Sequence, residues 1–260
     1  SLLQHSRWIA QTLELNQNAL MPSAWKKEQA CVRVRFFNAY PIKKVLVLLA
    51  NKEQKQMAPA GLLSSQSYQI LFENGQAMLI KGSSELSLFY AQAGQQQPVL
   101  EGRFFLEDYV ARVVEREGQV SQSTASQALA VLARTWLVQN SPINKGCYAT
   151  IDDSKAQRVL ASPPSKAALQ AALWTQDLLM TGQAVRYHQN TQKPAVFSWQ
   201  SAVEYSKQNP KASFDALLLK TYPQLGFSGI YFELDCAPLP QAQLWLQNNA
   251  KKWRSMLSQV

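Results

Sequence analysis

Histidine is almost missing from this chain of 260 residues: His5 and His188 are the two it has. Most nucleophile and base pairs, and most metal sites, use at least one, so the chemistry is narrowed at once. A serine nucleophile relayed through His188 would also need a Gly-x-Ser-x-Gly turn to expose it, and the sequence holds none. Glycine is scarce too, at 10 residues, and no glycine-rich run precedes a helix, which removes the phosphate-cradling loops of nucleotide chemistry. The three cysteines, Cys31, Cys147 and Cys236, are far apart and lack the close spacing of a zinc site. Neither a metal nor a cofactor is therefore expected. No apolar stretch approaches the roughly 20 residues of a membrane helix, and the run 45–50, which none exceeds, has the length of a strand. The chain reads as one that does not itself span a membrane.

Charge is thin as well. Charged residues make up 17% of the chain, and 26 Lys and Arg against 17 Asp and Glu give a net charge of +9. Such a bias either merely keeps the protein dissolved or favours polyanions. Nucleic acid is a poor fit, because the pairs Lys26-Lys27, Lys43-Lys44 and Lys251-Lys252 are scattered. They form neither a basic helix for duplex nor a basic groove lined with stacking aromatics for single strands. Peptidoglycan, whose peptides carry carboxylates, stays open. The few cysteines fit a periplasmic protein with one disulfide, taken as Cys147 to Cys236, as well as they fit three buried thiols in the cytoplasm.

What is present is a large apolar complement, 47% of the residues, enough for one large domain or two small ones. Apolar residues at helical spacing over 2–20, closed by Met21-Pro22, predict a leading amphipathic helix. Alternation predicts strands at 31–37, 42–50, 68–72, 77–81 and 86–90, with 92–98 a loop. Asn74-Gly75 between two of them predicts a hairpin over 68–81 with a type I′ turn. From Leu106 the period becomes helical: Leu106, Tyr109, Val110, Val113 and Val114 share one face, Glu107 and Asp108 suit the positive end of the helix dipole, and Gly118 closes the run after Glu117. A polar loop follows over 119–124, then a nearly all-apolar, hence buried, helix over 125–138. Helices at 165–179, 199–208, 214–220 and 241–257 and strands at 184–188 and 229–234 complete the pattern. Strands and helices mix without a strand-helix-strand period, which predicts an α+β fold: a leading helix and β-rich region over 1–101, then a mixed helix and strand region over 102–260.

With histidine and phosphate chemistry set aside, carboxylate chemistry remains, since a Glu beside an apolar wall can serve alone as general acid and then general base. Glu117 ends an apolar helix just before a polar loop, where its carboxylate can face a cleft, and the negative end of the helix dipole favours its acid form. Glu115 is its local rival. Both also read as ordinary solvated residues beside Arg112 and Arg116.

Residues 106–117 resemble the hallmark of the stage II sporulation protein D family: Leu106-Glu107-Asp108-Tyr109, then Val113-Val114, then a Glu three positions later, which is Glu117. Ala128-Leu129-Ala130-Val131-Leu132-Ala133-Arg134-Thr135-Trp136 is similar to the family's second helix. Asp152-Asp153, Gln157 to Val159, and the stretch ending in Tyr187-His188 keep the family's order. The chain is identified as a divergent member. The resemblance implies a peptidoglycan lytic transglycosylase of the periplasm or another extracytoplasmic compartment, with Glu117 as acid and base, Arg134, Tyr187 and His188 lining or bracing the glycan cleft, and Gln119 with them on the substrate side. The alternative is a degenerate module that binds glycan strands or regulates an amidase, which would make an envelope protein its partner. Several positions depart from the pattern. Gly118-Gln119 replaces the family's Met-Pro, Leu129 and Gln127 replace a Gln and a Lys, and Cys147 alone remains where some members hold zinc, so no metal is expected.

Overall fold

The computed structural model describes residues 30–48, 55–57, 61–62, 65–90, 97–153, 155–181, 184–188, 197–223 and 226–229. The leading and closing helices expected over 2–20 and 241–257 lie outside them. The described residues form an α+β fold of five helices, a mixed sheet and an antiparallel sheet.

The mixed sheet has the strand order β6-β7-β1-β9-β8, formed by Leu86–Tyr90, Pro98–Phe105, Cys31–Arg35, Cys147–Ile151 and Ile143–Asn144 respectively. β1 runs antiparallel to β7 and parallel to β9. The antiparallel sheet has the order β3-β2-β4-β5, with β2 at Ile42–Leu48, β3 at Lys55–Met57, β4 at Ser67–Phe72 and β5 at Ala77–Lys81. On β1 the alternation is literal: Val32 and Val34 are buried while Arg33 and Arg35 face outward. β4 and β5 form the expected hairpin, but its turn differs. Only Gly75 has a positive φ, +86°, and its amide donates to the Phe72 carbonyl, so Glu73 and Asn74 make an ordinary turn closed by a left-handed glycine. The turn that needs two positive φ values is elsewhere, at Lys145 (+51°) and Gly146 (+79°) between β8 and β9.

Helix α1, Leu106–Glu117, follows β7 directly, and α2 spans Ser123–Asn140. After β9 come α3 (Lys166–Trp174), β10 (Leu178–Thr181), β11 (Tyr187–His188), β12 (Phe197–Ser198), α4 (Trp199–Gln208), α5 (Phe214–Thr221) and β13 (Gly226–Gly229). β10 pairs with β13, and β11 pairs in parallel with β12. The helix expected to run to 179 therefore stops at Trp174, and its last residues become a strand. Thr175 caps it, and Asp177 takes a left-handed φ of +64° that no helix accommodates.

Two apolar clusters make up the core, and α2 lies between them. Leu129, Ala130, Ala133 and Leu137 join α1 and the inner face of the strands, whereas Ala125, Ala128, Val131 and Leu132 pack on Phe197, Phe214, Leu217, Leu218 and Tyr222. This is why α2 is apolar on every side: each of its faces meets protein. Residues on either side of position 101 share the first cluster, from Val32 and Tyr68 to Val110 and Val114. No described helix is long and apolar enough to cross a membrane.

Candidate functional site

The acids of α1 meet different fates along its length. Glu107, in the first turn, is 2% exposed and makes a bidentate pair with the fully buried Arg134 of α2, at 3.0 and 2.6 Å. The same guanidinium donates to the Leu178 and Ala172 carbonyls and to Thr175 Oγ1. Of the two roles expected for Arg134, lining a cleft or bracing it, full burial leaves no surface for the first: its donors are spent inside the protein, locking α1, α2, α3 and β10 together. Asp108 pairs with Arg112 at 3.2 Å, and burial, partly offset by that cation, raises its carboxyl above the usual range. Glu115 accepts from Ser165 Oγ at 2.7 Å, and Ser165 in turn caps α3 by accepting from the Ala168 amide.

Glu117 lies at the last position of α1 and is half-buried, with its Oε1 accepting from the backbone amide of Arg158 at 2.8 Å. Arg158 belongs to a strap of irregular chain, residues 157–162, laid along α1 and fixed at nearly every step. The Leu160 amide donates to the Arg112 carbonyl, and the buried Arg112 guanidinium, stacked 4.1 Å over the Phe104 ring, donates to the carbonyls of Leu160, Ala161 and Ser162. The Val159 amide donates to Asp152 Oδ1 at 2.8 Å, and Gln157, fully buried, accepts from the Tyr109 hydroxyl and donates to the Ala133 carbonyl. The backbone groups of a buried irregular segment must find partners somewhere, and here side chains of α1 and β9's end supply them.

Asp152 is a second carboxylate of this region, one that sequence reasoning left without a role. Burial raises its carboxyl above the usual range, and the Val159 amide, Arg116, the Phe37 amide and Arg158 each act in the opposite direction. Burial also pushes the Tyr109 phenol well above its ordinary range, helped by the charges of Glu117 and Asp152, and successive residues of the strap, Gln157, Arg158 and Val159, bind Tyr109, Glu117 and Asp152 in turn. Glu117, Asp152, Tyr109, Arg116 and Arg158 thus converge at the C-terminal end of α1. The one signal of this in the sequence was the family-like order of Asp152 and 157–159.

Of the other expected site residues, Gln119 is exposed just beyond Glu117, and its carbonyl accepts from Ser126 Oγ and the Gln122 amide. Tyr187 and His188 form β11, whose register sets His188 opposite Ser198. Ser198 caps α4, and the next residue, Trp199, covers Gly118 so closely that a Cβ there would lie 3.1 Å from its ring. The strand carrying Tyr187 and His188 is thereby brought to the Glu117 end of α1. The disulfide differs from expectation: Cys147 is bonded to Cys31, not to Cys236, because β1 and β9 set these two residues directly opposite, with Cα atoms 4.5 Å apart. Cys236 lies outside the described residues. Among the described residues, no three His, Cys, Asp or Glu side chains gather in a way that could hold a metal ion.

Residues 101–208, which contain α1, α2, the strap and α4, match the family model SpoIID, stage II sporulation protein. The chain carries a SpoIID domain. That domain belongs to a family of peptidoglycan processing. Its β7 starts the match, and β1 completes its sheet from outside it. The chain is also 32% identical over 228 residues to the uncharacterized protein YfaQ of Escherichia coli (strain K12), a match that covers 87% of this chain. The chain spans 40% of that protein's length. No solved structure matches the chain.

Proposed function

We propose that the SpoIID domain of this chain is a peptidoglycan lytic transglycosylase of the bacterial envelope, with Glu117 as its acid and base. The observation that carries the reading is the position of Glu117 in the α1 pattern, at the last residue of the helix, half-buried and with its carboxylate oriented by the Arg158 amide. In the reaction, the protonated Glu117 gives its proton to the oxygen linking MurNAc to GlcNAc as the bond from C1 breaks. The carboxylate then takes the proton of the 6-hydroxyl as that oxygen bonds to C1, closing a 1,6-anhydro ring. No water is consumed, and one carboxyl group suffices, whereas hydrolysis by the usual route needs two. The Cys31–Cys147 disulfide fits an extracytoplasmic location.

The hydrogen bond from Arg158 also supports a second reading, a catalytically silent module that binds glycan strands or regulates an amidase, because it gives Glu117 a task in holding the strap. Digestion of purified sacculi with mass analysis of the products separates the two. Glu117→Gln, which keeps an acceptor for the Arg158 amide, should lower anhydro-muropeptide release by about 10²- to 10⁴-fold without changing the unfolding midpoint. Equal release by variant and wild type would rule out the catalytic assignment. A wild type that binds sacculi and releases nothing would favour the second reading.

A further inference from the structure

One face of the mixed sheet packs on α1 through Val32, Val34 and Phe104. By alternation Cys31, Arg33 and Arg35 of β1, with their partners Phe105, Arg103 and Glu101 of β7, point the other way. This outer face is open at Arg35, Arg103 and Phe105, all three exposed.

The charges on it are poorly matched. Arg33 stands directly opposite Arg103, and like charges paired across strands cost stability. Glu101 serves Arg33 alone, taking Nε at 3.0 Å and Nη2 at 3.3 Å, while Arg33 Nη1 lies covered by its neighbours with no hydrogen-bond partner. Glu85 lies across from Arg103, whose amide donates to its carbonyl, but the Glu85 carboxylate accepts from Ser84 Oγ. Arg103 turns its Nε instead to Cys31 Sγ, a weak acceptor, at 3.3 Å. Among the described residues no salt bridge reaches Arg35 or Arg103. A covered donor lacking its acceptor, beside two guanidiniums lacking carboxylates, is an arrangement that an outside anion completes.

Strand geometry sets the spacing of that anion. Arg33 and Arg35 are two positions apart on one strand, about 6.6 Å, and Arg103 stands across the ladder from Arg33 at about 5 Å. Carboxylates at alternate positions of an extended chain repeat at the same ~6.6 Å. The rest of the face favours a protein over a lipid surface or a phosphate polymer. Its outward positions on β6, β7, β1 and β9 set Phe89 and Phe105 beside the arginines and hold no lysine. Arginine and aromatic residues are enriched in protein interfaces, and lysine is depleted. At the Arg35 end the face runs into a cavity of about 160 Å³ lined by Arg35, Phe37, Ile42 and Val99 among others. That is room for one side chain, since ~150 Å³ accepts a benzene-sized guest.

We infer that the outer face of the mixed sheet docks an acidic, extended segment of a partner protein. Alternate carboxylates of the segment meet Arg35 and Arg103, the Arg33 Nη1 between them gains its acceptor, and an apolar side chain enters the cavity. The face lies across the sheet from α1, so the inference stands apart from the reaction proposed at Glu117. The test is titration of the whole chain, followed by amide NMR spectra, with a capped peptide of alternating Glu and Thr. The same peptide with Gln for Glu, and phosphatidylglycerol vesicles, are run beside it. Binding is expected to shift residues 31–35 and 101–105 and to be about tenfold tighter than for the Gln peptide. Arg35→Gln with Arg103→Gln should weaken it about tenfold, whereas Lys207→Gln with Lys211→Gln, which removes as much charge from an exposed stretch elsewhere, should leave it unchanged. Glu101→Gln should tighten it about threefold by removing the competing carboxylate, a gain that no folding defect imitates. Equal binding of the Gln peptide, an equal loss on removing the two lysines, no gain from Glu101→Gln, tighter binding of the vesicles through Arg35 and Arg103, or no binding at millimolar peptide would overturn the inference.

Discussion

Glu107 and Arg134 stand 27 positions apart in sequence, and each looks in isolation like a residue available for chemistry. In the fold they are 2% and 0% exposed and satisfy one another at 3.0 and 2.6 Å. A buried pair of this kind contributes little against a well-packed apolar substitute, but removing one partner strands a charge. Arg134→Met should therefore destabilise the protein by roughly 3–5 kcal/mol, and adding Glu107→Leu should recover a large part of that loss. Urea unfolding of the two variants and wild type measures both effects. A double variant no better than Arg134→Met would mean that Arg134 acts mainly through the carbonyls of Ala172 and Leu178. Sequence alone could not make this distinction, because an Arg in a family-like motif reads the same whether it meets a substrate or a partner helix. What decides between them is the burial of α2 on both sides, a property of tertiary packing.

At the level of elements, α1 and α4 have the boundaries expected from periodicity, as do β5 and β6, because each has its own local signal: an apolar face, a closing glycine, an alternating strand. The short β8 and β9 and the longer β7 were missed. β7, Pro98–Phe105, carries Gly102 and a leading proline, both unusual in a strand, and only pairing with β1 and β6 makes it one. Two departures from the family pattern, Gly118 and Leu129, prove to be neighbours: a Cβ on Gly118 would lie 3.1 Å from Leu129 Cδ2, so the leucine occupies space that a larger residue at 118 would need. The strap was the least legible element, since its order comes from long-range bonds to Arg112, Asp152 and Glu117 rather than from any local pattern. Its tie at Asp152 makes a pH prediction. The carboxyl is raised in the folded protein above its usual 3.8, chiefly by burial, so the native state holds the proton more tightly than the unfolded chain. This contribution stabilises the fold at low pH and is lost as pH rises through the raised value. Asp152→Asn removes the dependence. Relative to wild type the variant should gain stability as pH rises above the usual carboxyl value of 3.8, read from urea midpoints at each pH. A stability difference that is flat or falls over that rise would show that the Val159 and Phe37 amides and the two arginines outweigh burial.

At the scale of the molecule, a disulfide among the described residues joins distant parts of the chain. Cys31 and Cys147 are 116 positions apart, and the loop they close holds both sheets' remaining long strands, α1 and α2. The pairing could not be read from the sequence, because it depends on β1 and β9 being parallel neighbours in register, and β9 has no strong strand signal of its own. On the chain-entropy account, a loop this long restricts the unfolded state by about 4–5 kcal/mol, and measured losses on removing a native disulfide run at roughly 2–5 kcal/mol. Because the link acts on the unfolded chain, its loss should leave two marks in urea unfolding. The midpoint should fall, and the slope should rise, as the freed chain exposes more surface. Cys31→Ala with Cys147→Ala should show both, and reductant should bring wild type to the same curve while leaving that double variant unmoved. A wild-type curve indifferent to reductant would mean that the link adds nothing to the fold. A variant that still responds to reductant would mean that Cys236, the cysteine it retains, links two copies of the chain. If the expected result holds, the domain depends on an oxidising compartment for its stability, and expression in a reducing cytoplasm should yield the protein with the lower midpoint.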